Sequence, residues 1–191
     1  MVDSLIERQF VDSIDAARRS YLDVLIDLNL AEPHRSPLGH QAFLEAIDLR
    51  FKMLLTKAFV EVVESDLYLS PAEAELAQLL LRHLHQRSVW RSRVAAEFDQ
   101  LSHDAKRHPW EFILEPLHWY PKTCEFQQEL ETSVLRMANI IAKVDGGVAG
   151  EAISQLRMLK MQLDQHLPAC QPNRVATDAV TPTGTEEIGE L

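Results

Sequence analysis

Apolar side chains recur every three or four residues in one segment after another of this chain, and no segment alternates apolar with polar residues. The first stripe runs Ile6, Phe10, Ile14, Ala17, Tyr21, Val24 or Leu25, and Leu28. Glu7, Asp12, Asp15, Arg18, Arg19 and Asp23 occupy the opposite face. This spacing lines one side of a helix; a strand would need every second residue. A helix over residues 4–30 would be roughly 39 Å long at 1.5 Å per residue. It is therefore expected either to extend from the domain or to pair with a partner helix.

Proline and glycine divide the rest of the chain. AEPHRSPLG (31–39) reads as a linker or tight corner. A second stripe, Phe43, Ile47, Phe51, Leu54, Ala58, Val62 and Val63, predicts a helix over 40–65. Ser70, Pro71 and Glu73 form the start signal of the next, at about 71–86, because Ser caps, Pro suits the first turn and Glu three residues on closes a capping box. Further helices are expected at about 88–105 (Val89 or Trp90, Val94, Phe98 and Leu101 inward), 122–144 and 149–167. HPWEFILEPLHWYP (108–121) reads as a compact connection with one helical turn, given its three prolines. Beyond Leu167 the chain turns rich in Pro, Thr, Ala and acids, loses its period, and is expected to be disordered. The fold class is all-α: a bundle of about six to seven helices with a long N-terminal helix (1–39 with its linker), a helical domain (40–167) and an acidic tail (168–191).

Composition narrows the function classes. In 191 residues, 19 Lys and Arg stand against 29 Asp and Glu, a formal charge of −10, which disfavours nucleic acid as a partner. No apolar run reaches transmembrane length, and MVDSLIERQF lacks the apolar stretch of a secretory signal. Two cysteines, Cys124 and Cys170, make no disulfide framework, so a cytoplasmic location is expected. The eight histidines show no metal-ligand spacing.

The chain also repeats itself weakly. At one constant offset Asp66 aligns with Asp145, Leu69 with Val148, Leu84 with Leu163 and Val62 with Ile141. Each copy is a helix, an acid-containing turn and a helix, and two such hairpins can pack as a pseudo-twofold bundle. At these turns a family resemblance enters. IIAKVDGGVAGE (140–151) resembles the AxADGxVsxxE turn of TerB-like domains, the tellurite-resistance family, and VVESDLYLSPAE (62–73) resembles its companion motif. The first motif has Leu67 where glycine is usual, and the second carries its glutamate one position early. Covering about residues 45–167, the resemblance implies a pseudo-twofold bundle of about seven helices, a divalent-metal site at the acidic turns, and a part in stress-linked protein complexes. Carried over, the metal candidates are Asp66, Glu73, Asp145 and Glu151, with Ca²⁺ or Mg²⁺ as the ion. Read from the residues alone, the same acids are first of all helix caps and dipole partners.

Two other features bear on partners. Arg82, Arg87, Arg91 and Arg93, with Lys106 and Arg107, form the main basic cluster: either a solvated face or a seat for an acidic partner or phosphate. Trp110, Trp119 and Tyr120 are either core anchors or the edge of a binding groove, where aromatic residues concentrate energy. The function expected is a non-enzymatic interaction module of stress-response type, binding a protein partner through Phe10, Ile14 and Tyr21 of the first helix or through Trp110, Trp119 and Tyr120. The alternative is a metal-free structural protein that homo-oligomerises through its N-terminal helix.

Overall fold

The helix with the least one-sided sequence is the axis of the fold. In the computed structural model, which describes residues 2–31, 39–63, 69–146 and 150–168 (side chains of 150 and 151 excepted), that helix is His40–Val63. Phe43, Ile47, Phe51, Leu54, Leu55, Ala58, Phe59, Val60, Val62 and Val63 are all buried, on every side of it. A helix apolar all round must be enclosed by others.

Seven helices result, and no strand occurs among the described residues. The first, α1, starts at Ser4–Arg18, passes through a π-helical turn at Arg19–Asp23 and ends as Val24–Ala31. The axis is α2. Then come α3 (Pro71–His85), α4 (Val94–Arg107), α5 (Trp110–His118), α6 (Gln127–Lys143) and α7 (Gly150–His166). All six others contact α2, and α1 packs most extensively along α6. The two repeated hairpins, α2–α3 and α6–α7, meet through α2 and α6.

The N-terminal helix does not stand apart as its own unit. Phe10, Ile14, Ala17, Tyr21 and Leu25 belong to the same core as α2 and α6. The π turn explains how so long a helix keeps one face inward. From Phe10 to Asn29, a regular helix at about 100° per residue would drift about 100° off the core. A π turn takes up one extra residue, so Asn29 returns to the buried side at 2% exposure.

Two expectations change. Residues 110–118 form a complete helix, longer than one turn, because Trp110, Ile113, Leu114 and Leu117 share an inward face. Pro116 lies inside this helix, two residues before its end, and forgoes the N–H that would reach back to Phe112 O. Helix α4 starts later than 88: residues 86–90 are non-helical, Arg91–Arg93 make a 3-10 turn, and Val94 begins the helix. Gln86, at φ 52°, closes α3 in the left-handed region and diverts the chain. Of the expected tail (168–191), residues 169–191 lie outside the described residues.

Aromatic pairs lock α2 in place. Phe59 meets Phe10 edge-on at 6.2 Å and Phe98 at 4.8 Å, joining α1, α2 and α4. Phe59→Ala is expected to cost about 3–5 kcal/mol by cavity formation. The check is urea unfolding, with a lower midpoint at unchanged slope.

Candidate functional site

The start of α3 meets the second acid-bearing turn through one hydroxyl. Ser70 caps α3: its Oγ accepts from Glu73 N at 3.1 Å, and its N–H donates to Glu73 Oε2 at 2.8 Å. The same Oγ donates to Asp145 Oδ1 at 2.8 Å, where α6 ends. The cap of α3 therefore touches the turn after α6, and Glu73 and Asp145 both engage Ser70. Gly146, at φ 89°, makes the turn that frees Asp145 to face α3. Asp66 lies outside the described residues, as does the side chain of Glu151. Among the described residues no three His, Cys, Asp or Glu side chains group to hold a metal.

The residues expected to bind partners are placed elsewhere than the surface. Phe10, Ile14 and Tyr21 are buried against the chain's own helices, as are Trp110 and Tyr120, while Trp119 is half-buried. In this packing their apolar faces are closed to a partner, and assembly through the α1 stripe would require α1 to leave its core. Their polar ends are also used internally. Tyr21 Oη donates to Ile113 O at 2.7 Å, Asn29 Nδ2 donates to Tyr120 Oη at 3.0 Å, and burial pushes the Tyr21 phenol well above its usual range.

Between α2 and α5 lies a polar seam. Lys57 Nζ donates to His108 O at 3.1 Å and sits 3.9 Å from Glu61 Oε1. Trp110 Nε1 donates to that same oxygen at 3.0 Å. Burial pulls the Lys57 ammonium below its usual range and raises the Glu61 carboxyl, each partly opposed by the other. Two turns earlier on α2, the Arg50 guanidinium stacks over Phe112 at 4.3 Å and Trp119 at 5.3 Å, while Nη2 donates to Glu115 at 2.8 Å. Its Nη1 is the one buried side-chain nitrogen or oxygen without a hydrogen bond among the described residues. The ring faces supply the electrostatic partner that a hydrogen bond does not.

The surface feature that periodicity mislaid is Trp90. Expected to point inward with Val89 as the alternative, it stands 82% exposed, and Val89 is the half-buried one. The reason is the late start of α4: residue 90 precedes the helix and obeys no helical face. Its segment is nonetheless tied down. Arg87 N donates to Leu81 O at 3.1 Å, Gln78 Nε2 to Val89 O at 2.7 Å, and Arg93 N to Trp90 O at 2.8 Å. Behind it, a cavity of about 310 Å³ opens between α1, α3 and this segment, lined among others by Glu75, Gln78, Arg82, Arg87, Val89 and Arg91. Arg91 pairs with Glu75 at 2.8 Å and Arg87 with Glu97 at 3.4 Å.

Set against protein-family models, curated proteins and solved structures, the chain matches none of them. The TerB-like resemblance rests on the two turn motifs.

One histidine titrates unusually. His85 Nε2 lies 3.3 Å from Thr56 Oγ1, and burial, with Lys52 and Arg87 nearby, pushes its pKa from 6.5 down to about 4 despite Asp48. Its folded pKa lies below its unfolded one, so the stability it supplies is complete above pH 6.5 and is lost as pH falls toward 4. Comparing thermal melts at pH 7 and pH 4, His85→Gln should shrink the acid-induced loss by about 1–2 kcal/mol once solvent screening is allowed for.

Proposed function

We propose that this chain is a non-enzymatic interaction module, a rigid helical bundle that presents the shoulder at residues 86–93 to a protein partner. The observation that supports this reading is Trp90, a large aromatic side chain 82% exposed on a backbone held by three hydrogen bonds. Trp is the residue type that most often anchors an interface, and a fixed segment loses little entropy on docking. The test is a photo-cross-linking amino acid placed at position 90, with exposed His103 as the control position. Discrete adducts from position 90 and not from 103, formed in living cells, are expected. Equal adducts from both positions, or none from 90, would overturn the reading.

The resemblance to TerB-like domains adds a stress-response setting and a divalent cation at the acidic turns. Carboxylate oxygens of Glu73 and Asp145 are the hard donors that Ca²⁺ and Mg²⁺ take. Both already accept a hydrogen bond from Ser70, which favours cap and brace as their work. Thermal melts in EDTA and then in millimolar Ca²⁺ or Mg²⁺ separate the two. Cation binding at about 100 times the Kd raises stability by about 2.7 kcal/mol, a shift of several degrees that Asp145→Ala abolishes. Cap and brace alone leave the midpoint unmoved by either ion.

A further inference from the structure

We infer that the Trp90 shoulder recognises an acidic peptide segment of its partner, one carrying carboxylates near an apolar side chain. This rests on the interaction reading above and adds the chemistry of what is bound.

Charge carries the inference. The chain is at −10, yet the cavity behind Trp90 presents three arginines, Arg82, Arg87 and Arg91, against Glu7 and Glu75. Two of those arginines are neutralised by the ion pairs to Glu97 and Glu75. Among the described residues, Arg82 makes no ion pair, and neither does exposed Arg93, three residues beyond Trp90. Arg82 also lines a second, shallower hollow on the α1 side, with Glu7, Arg8, Val11 and Asp12. Among the described residues of this shoulder, Arg82 in the cavity lining and Arg93 just past the exposed indole are thus the guanidiniums outside an ion pair, next to a cavity large enough for a side chain. Trp90 itself follows Val89 and precedes Arg91, both of which line that cavity. An apolar residue seated beside the indole would place neighbouring carboxylates within reach of Arg82 and Arg93, and guanidinium binds carboxylate in two-point geometry.

The same balance argues against an extended polyanion. A membrane surface or a nucleic acid presents negative charge over an area wider than this patch, so it meets the acids of the rest of the chain. A short peptide brings its few charges within a Debye length of about 8–10 Å of the arginines and leaves the remainder screened.

The test uses the full chain as bait for a displayed library of random dodecapeptides, with Trp90→Ala as the counter-selecting bait. Enrichment of peptides with Asp or Glu near an apolar residue is expected. A selected synthetic peptide should then bind about tenfold more weakly to Trp90→Ala. It should bind several-fold more weakly to Arg82→Gln and Arg93→Gln, and weaken with added salt. Unchanged melting midpoints of the three variants keep the losses local. Enrichment without acids, enrichment retained by Trp90→Ala, or no enrichment would overturn the inference. So would a Trp90-dependent emission shift on phosphatidylserine vesicles or single-stranded DNA in place of peptide. The cross-link from position 90 is indifferent to the partner's charge, so it can survive a failure here and shows which of the two readings has fallen.

Discussion

Enclosing α2 is the constraint on which the rest of this structure depends. A helix with Phe, Leu, Ile and Val on all sides cannot lie on a surface, so six other helices surround it. Enclosure then imposes its own demands. Thr56 and Lys57 are buried with the apolar residues, and a buried ammonium needs oxygen around it. His108 O and Glu61 supply that oxygen, and Trp110 donates to Glu61 in turn. The start of α5 is thus fixed by a polar requirement created at the middle of α2. Tyr21, Asn29 and Tyr120 form the matching seam at the other end, tying α1 to α5 and to the segment after it.

Much of this is legible in the residues, and the exceptions share a physical cause. The stripes of α2 and α3, and that of α1 as far as Tyr21, sit where their periods place them, and the capping box at Ser70 and Glu73 forms as written. Prolines mask the helix within 108–121, because Pro116 sits inside it, where proline ordinarily argues against a helix. Trp90 escapes prediction because a period says nothing about residues outside the helix. What ends α3 at Gln86 is a residue in the left-handed region that carries no glycine to announce it. Burial of the α1 stripe is hidden for another reason. An amphipathic helix shows that a face wants cover, and only the fold shows whether the cover is α6 or another molecule.

The acidic turns show how one side chain can serve two elements. Ser70 accepts as a cap and donates as a bridge, so the start of α3 and the end of α6 are held by one oxygen atom. Neither half of the repeat could make this contact alone. It lies where the two copies differ in detail while sharing an acid, which is why aligned residues point to the turns but not to the contact that Ser70 makes.

The π turn in α1 carries a consequence for how this chain can vary in length. It holds one residue more than ordinary helical turns would need to bring Asn29 round to the side that Phe10 faces. A deletion within 19–23 that let the turn close as regular helix would therefore leave Asn29 facing Tyr120. An insertion there has no such escape, because each added residue swings the second stretch by about 100°. The tolerance is one-sided: kindred sequences can be shorter here by a single residue and keep the same inner face, but not longer. A wide turn of this kind is the scar that an added residue leaves in a helix whose two ends were already committed.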